Sequence, residues 1–389
     1  MDQLKSSWLC VAELSEMQFI SNLGLPMFGI SVLAFLVAVI VIVFIHELGH
    51  FMVGRWCGVN IEAFSVGFGR ELFGFNDRYG TRWKICALPL GGYVKFEGDA
   101  NAASLPSFAK PPSPTSLQGA ALWRRFLIVL AGPAANFLLS IFIFSAMFIF
   151  VGEYIVAPKV GTIRENSAAS AAGLKVGDYI RKIDGKAILD FSDITEAMVL
   201  RGETPILFTI ERDGKTFETQ ITPKIEVVDD GIGGKMKRSL IGITSEAGSA
   251  GAVAIKSGLI EGVGKGVSRT WFFATTTLRY IGKIFLGSES ADQLHGPIGT
   301  AKMAGATASM GITPFLIFIG FISVSIGLVN LFPIPMLDGG HLVFFLIEGL
   351  MGKPVSPQAQ EWSFRIGLSA ILMLMIFVTW NDTFMQLKH

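Results

Sequence analysis

Met27-Phe-Gly-Ile-Ser-Val-Leu-Ala-Phe-Leu-Val-Ala-Val-Ile-Val-Ile-Val-Phe-Ile45 holds no charged side chain and runs without a break into His46-Glu-Leu-Gly-His50. About 20 apolar residues cross a bilayer as a helix, and a helix that is apolar all round has no face for water. Three further stretches read the same way: Phe126 to Val151, Ile312 to Leu337 and Ser363 to Asn381. The last becomes strictly apolar only after Arg365, which must snorkel at the boundary. The expected fold class is therefore a polytopic α-helical membrane protein with four transmembrane helices.

Composition agrees. Of 389 residues, 51% are hydrophobic and 16% charged, and the mean hydropathy is +0.54, against about 25% charged residues in ordinary soluble domains. Lys+Arg 32 against Asp+Glu 31 leaves a net charge of +1, which excludes the basic footprint of a nucleic-acid binder. Cys10, Cys57 and Cys86 are widely spaced with no CxxC pair, so they are expected to be buried, reduced thiols.

Lys5 is the only cation before the first span, and Glu13 and Glu16 precede the apolar run, so that span is expected to be retained rather than cleaved as a signal peptide. Arg55, Arg124, Arg125, Lys353 and Arg365 flank one side of the spans, and Glu153 and Asp382 the other. By the positive-inside rule the loops 53–125 and 338–362 are cytoplasmic, and both termini and the segment 152–311 are extracytoplasmic. Lys159, Lys302 and Lys388 lie on the minority side.

The loops have their own organisation. Phe64 to Gly69 and Leu88 to Phe96 are apolar and glycine-rich around the turn signal Asn76-Asp-Arg-Tyr-Gly80, which predicts a β-hairpin over 64–96 dipping toward the membrane. Residues 100–118, with four prolines, read as a linker. Charge and alternation return over 157–224, with strands expected at Ile206 to Glu211 and Thr216 to Ile221 around Asp213-Gly214. Within it Ala172-Gly-Leu-Lys-Val-Gly-Asp-Tyr-Ile-Arg-Lys-Ile-Asp-Gly-Lys186 resembles the matching stretch of PDZ domains, which take an extended peptide as an added strand. Between Ala252 and Gly287 the cations Lys265, Arg269, Arg279 and Lys283 fall within roughly an 80° arc of a helical wheel, as in a helix lying along a membrane surface, although its glycines suggest interruption. The chain thus divides into an N-terminal segment 1–23, a first helix 24–52, a cytoplasmic loop 53–125, a second helix 126–151, a β-rich domain 155–226, a linker with an interfacial helix 227–311, a third helix 312–338, a loop 339–361 and a fourth helix 362–382.

His46-Glu47-Leu48-Gly49-His50 is an HExxH motif: histidines at i and i+4 share a helix face to hold Zn2+, and the intervening glutamate is placed as general base. Zinc in a hydrolase takes three protein ligands and leaves one position open. Metzincin spacing fails, because Val53 and Trp56 stand where a glycine and a histidine would follow. Glu62, Glu71 and Glu97 are conceivable third ligands from the loop. Asp338 is the stronger candidate, since the first and third spans run in the same direction and their ends meet at one depth, where a carboxylate without a cation is costly. His341 reads as a supporting or capping residue, and His295 and His389 as incidental.

HExxH closing a first span, Gly132-Pro-Ala-Ala-Asn136 in a second, one PDZ-like domain, His295-Gly-Pro-Ile-Gly299 and Asn330-Leu-Phe-Pro-Ile-Pro-Met-Leu-Asp-Gly-Gly340 in a third closely resemble bacterial site-2 proteases of the RseP type. The resemblance covers nearly the whole chain, with one PDZ-like domain where the best-known members have two. It implies an inner-membrane zinc metalloprotease that cleaves single-span proteins such as anti-sigma factors after an upstream site-1-type protease has acted, and sometimes signal-peptide remnants. It gives Asn330 a role in holding unwound substrate. Pro333 and Pro335 break the third span as a cavity-lining segment would, and Gly91 and Gly92 lie where the hairpin could take the substrate as a strand. Two other readings compete: a membrane-anchored protease with a soluble-type site, and a zinc transporter or scaffold. The first predicts a glutamate ligand, and the second needs no general base.

Overall fold

The computed structural model describes residues 27–99, 113–199, 201–229, 235–245, 253–287 and 296–387. The expectations for residues 1–23, Cys10, most of the linker, His295 and His389 lie outside them. In chain order the elements are α1 (Met27–Trp56), β1 (Ile61–Asn76), β2 (Arg82–Phe96), α2 (Leu122–Ala146), a π-helical turn (Met147–Val151), β3 (Glu153–Ile155), β4 (Val160–Ile163), α3 (Ala168–Ala171), β5 (Tyr179–Ile183), β6 (Lys186–Ala187), α4 (Phe191–Met198), β7 (Ile206–Arg212), β8 (Lys215–Ile221), β9 (Lys224–Asp229), β10 (Lys235–Leu240), β11 (Ile243–Ser245), β12 (Val253–Ile255), α5 (Leu259–Phe285), α6 (Pro297–Ser309), α7 (Ile312–Leu331), α8 (Asp338–Met351) and α9 (Pro357–Leu387). Four helices among the described residues are long and apolar enough to cross a membrane: Met27–Trp56, Leu122–Val151, Ile312–Leu331 and Pro357–Trp380. The chain divides into two units, one of 1–144 with 294–388 and one of 145–293.

In the first unit α1 buries Ser31, Ala34, Ala38, Ile42, His46 and His50, the i, i+3, i+4 face of a helix. Small residues let its partners approach: Gly305 of α6 lies against Ser31, and Gly320 of α7 packs on Phe144 of α2. Hydroxyls add bonds between helices, with Ser140 Oγ donating to the Gly320 carbonyl (2.6 Å) and Ser323 Oγ to the Asn136 carbonyl (2.9 Å). The third helix stops at Leu331, short of the expected 338, because Pro333 and Pro335 have no N–H to continue it. Asp338 then opens α8, so most of the expected loop 339–361 is helical.

The hairpin begins at Ile61, earlier than expected, and doubles back on itself. Segment 61–66 pairs with 92–96 on one side and, over 63–66, with 82–85 on the other, while 73–76 pairs with 82–85. Its base is fixed by Phe51, Phe64, Val94, Phe96 and Ile128 in one apolar cluster and by the Arg55–Asp77 ion pair at the turn. Cys57 and Cys86 are buried and free.

The second unit has a four-stranded antiparallel sheet of order β6-β5-β7-β8. Ile206, Phe208 and Ile210 alternate into its core, and Asp213 and Gly214 turn the chain with φ 51° and 75°, as the Asp-Gly signal predicts. The domain reaches past the expected 226. β4 pairs with β11, and Ile241 completes the core, so the segment after 226 is structural rather than a linker. α5 is one continuous helix, contrary to the expected interruption. Gly262 and Gly266 sit on its buried stripe with Thr270 and Ala274, and Ile149 packs where a Cβ at Gly262 would stand. Two cations of its basic arc are paired, Lys265 with Glu153 (3.1 Å) and Glu261 (3.2 Å), and Arg269 with Glu196.

Candidate metal centre

One turn of α1 separates His46 and His50, whose rings meet edge-on with centroids 4.8 Å apart. Helix α2 crosses close beside them because the contact carries no bulk. A Cβ on Gly49 would run into the Ala131 carbonyl, and one on Gly132 into His50 Nε2 while lying 2.9 Å from His46 Cε1.

Asp338 arrives from the other side. After Leu331 the chain turns through Pro333-Ile-Pro-Met336, where Met336 takes a left-handed φ of 86°, a conformation that costs a non-glycine residue energy and persists only where its surroundings impose it. Gly339 and Gly340 then let the first turn of α8 press on the carbonyls of Leu331, Phe332 and Ile334. Asp338 Oδ2 ends 3.1 Å from His46 Nε2, and Oδ1 ends 3.5 Å from His50 Nε2.

The two Nε2 atoms face each other at 3.2 Å. One ligand atom from each of His46, His50 and Asp338 lies within 4.8 Å of the other two. Among the described residues, buried Asp338 Oδ2 has no hydrogen-bond partner. An unpaired carboxylate oxygen beside two imidazole nitrogens is costly unless a cation joins them. Two nitrogens and one carboxylate are also the donor set of a catalytic zinc site with a position left open. The residues fit the ion, and these three would hold it.

The loop carboxylates do not join them. Glu62 pairs with Lys95 (2.6 Å), Glu71 with Arg82, and Glu97 accepts from Asn60 (2.8 Å) and Thr115 (2.7 Å). His341 lies outside the group, its ring centroid 5.5 Å from that of Phe364. Gly92 of β2 backs onto Glu47, with a Cβ there falling 3.1 Å from Glu47 Cγ and 2.8 Å from Val43 Cγ1. Gly91 instead faces the Phe68 ring. Asn330 occupies the last turn of α7, and Pro333 and Pro335 the turn beyond, where the Pro335 carbonyl packs on Gly367 of α9. Two contacts were not foreseen: His50 Nδ1 bonds the Ile128 carbonyl (2.8 Å) and His46 Nδ1 the Asn136 side chain (3.2 Å). Asn136 carried a signal, as a lone amide inside an apolar span, whereas a backbone partner leaves none.

A buried His2Asp group built on HExxH defines a zinc metalloprotease. The chain belongs to peptidase family M50, whose model matches residues 34–375. A Rhizobium meliloti (strain 1021) protein described as a putative zinc metalloprotease is 46% identical over 355 residues, covering 90% of this chain and 95% of its own. Metalloprotease MmpA of Caulobacter vibrioides is 36% identical over 383 residues, covering 91% and 96%. Among solved structures, the PDZ domain of the SdrC-like protein of Listeria monocytogenes aligns with 25% of this chain and 93% of its own at 20% identity, with a TM-score of 0.18 that carries no argument about the fold.

Proposed function

We propose that this metalloprotease hydrolyses peptide bonds within the transmembrane segments of single-span proteins. The observation that carries the reading is where the site stands: His46 and His50 continue the apolar run of one candidate span, and Asp338 follows the end of another. A soluble-type site would have taken a loop glutamate, and all three loop glutamates are engaged elsewhere.

Zinc bound by His46, His50 and Asp338 would supply Lewis-acid polarisation of the scissile carbonyl. Glu47 takes a proton from the attacking water and returns it to the leaving amine. A transmembrane helix hides its carbonyls in i to i−4 bonds, so the substrate unwinds before attack. Segment 92–96 supports strand addition, since among the described strands it pairs only with 61–66 and passes directly beside Glu47. Asn330, at the broken end of α7, offers a further amide to the opened backbone. Exposed Leu72, Phe73, Phe75, Ile85 and Leu88 suit a hairpin set against lipid, and exposed Ile260, Val267, Trp271, Leu278 and Phe285 on one face of α5 suit an interfacial helix.

The charge pattern at the span ends supports an orientation with residues 152–311 extracytoplasmic, and the resemblance to bacterial site-2 proteases supports the inner membrane as its place. The sheet of the second unit is read as a PDZ-like domain that sorts substrates by what they carry outside the membrane. Substrates of the anti-sigma-factor type trimmed by an upstream site-1-type protease, and signal-peptide remnants, fit that arrangement. The test is Glu47→Gln in the full-length protein: cleavage of a model transmembrane substrate is lost while zinc content stays at the wild-type level. Retained turnover refutes the role given to Glu47, and a wild-type enzyme that cuts only soluble peptides refutes the substrate class.

A further inference from the structure

The Gly132-Pro-Ala-Ala-Asn136 motif brings α2 against both histidines, yet none of the chemistry above uses its asparagine. Asn136 is fully buried. Its side-chain amide lies 3.2 Å from His46 Nδ1 through Nδ2, and its Oδ1 has no hydrogen-bond partner among the described residues. The other histidine shows what such a contact does. His50 Nδ1 meets the Ile128 carbonyl at 2.8 Å, and a carbonyl only accepts, so Nδ1 carries the proton and Nε2 keeps its lone pair.

For His46 the same logic selects one of two orientations of the Asn136 amide, which are alike in shape. With Nδ2 donating, the proton of neutral His46 sits on Nε2, aimed where the ligand atoms converge, and the ring cannot hold a cation. With the amide turned by half a rotation, Oδ1 gains a donor and Nε2 is freed. We infer that Asn136 is a positioning residue that accepts the His46 Nδ1 proton, so that α2 fixes the tautomer of both imidazoles, one by a backbone carbonyl and one by a side chain. This rests on the reading of His46 as a metal ligand. Hydrogen bonds to the far nitrogen of a ligating histidine typically govern metal affinity by 10–100-fold.

The experiment uses full-length protein in detergent, loaded with zinc and titrated with a chelator, with thermal unfolding recorded in parallel. Asn136→Leu keeps the size and removes the acceptor, and zinc should be lost at roughly 10–100-fold lower chelator concentration. Asn136→Asp offers only acceptors at the same place and should restore retention to near the wild-type level. Because an ionised Asp cannot donate, loss of zinc from a folded Asn136→Asp protein overturns the inference even if the Leu variant fails to fold. Wild-type retention by a folded Asn136→Leu protein overturns it too. His46→Ala separates the two layers: if it is zinc-free while Asn136→Leu binds normally, the ligand stands and the positioning role falls, and if it keeps its zinc, the ligand reading itself is wrong.

Discussion

Gly132 of α2 lies so close to His50 of α1 that the space a Cβ would need is already taken by the imidazole Nε2. A second bare contact at the same crossing, between Gly49 and Ala131, lies one residue along each helix. A methyl group at 132 therefore acts on the metal site directly. Gly132→Ala should displace the His50 ring and lower zinc affinity by an order of magnitude or more, as loss of a ligand's orientation does, while the second unit is untouched. Chelator titration with circular dichroism as a folding control checks it, and unchanged affinity would mean the rings can move aside freely.

Removing the metal should abolish proteolysis, and adding zinc back should restore it. Asp338→Asn should lower bound zinc as well as activity, because a neutral amide is a poor replacement for an anionic ligand. Metal analysis of the purified variant decides: full occupancy would pass the third ligand to another residue.

The neighbouring glycines of β2 should separate when substituted. Gly91→Val pushes on the Phe68 ring and strains a backbone φ of 155°, whereas Gly92→Val meets the Ser65 carbonyl, Val43 and Glu47. If segment 92–96 holds an unwound strand, Gly91→Val slows cleavage of a helical span more than that of a short unstructured peptide, and Gly92→Val slows both. Steady-state rates for two substrates and three enzymes give the comparison. Equal effects of Gly91→Val on both substrates would reduce the hairpin to a scaffold.

In the second unit, Arg212 grips buried Asp178 through two bonds of 2.6 and 2.7 Å, and the Lys175 amide adds a third at 2.8 Å. Burial by itself would raise the Asp178 carboxyl, but these donors outweigh it and hold its pKa below the ordinary value. A depressed folded pKa contributes stability above the unfolded value of about 3.9 and loses it as pH falls through the folded one. Arg212→Ala strands the buried carboxylate and should cost about 3 kcal/mol at neutral pH, a difference from wild type that shrinks as pH falls and the carboxyl is protonated in the variant and then in the wild type. Hydrogen exchange at the β7 and β8 amides, in the full-length protein, reads this out, and a pH-independent difference would remove Asp178 as its source.

How much of this was legible in the sequence follows the range of the forces involved. HExxH and the apolar runs are local patterns, and they located α1 and two of the three proposed ligands. Asp338 came from counting crossings. The end of α7 at Leu331 was announced by Pro333 and Pro335 but overridden by the length of the apolar run. Long-range pairings left no trace: β11 reaches back to β4, and segment 63–66 pairs on both sides, neither of which alternation along one strand can reveal. The α5 glycines misled for a related reason, since a missing side chain weakens an isolated helix but fills a close contact when Ile149 takes its place.

The start of α6 has a consequence for how the chain is made. The Gly296 and Gly299 amides, both buried, donate to the carboxylate of Asp382 at 2.9 Å each, across 86 and 83 residues. During synthesis α6 emerges long before the acceptor for its first turn exists. Until residue 382 has been synthesised those two N–H groups have no Asp382 to meet, so the bonds that hold the first turn of α6 close only after α9 has been made. A ribosome that stops before residue 382 therefore leaves a protein that carries every residue of the proposed metal site but lacks the clasp that fixes α6, the helix packed along α1, in its finished position.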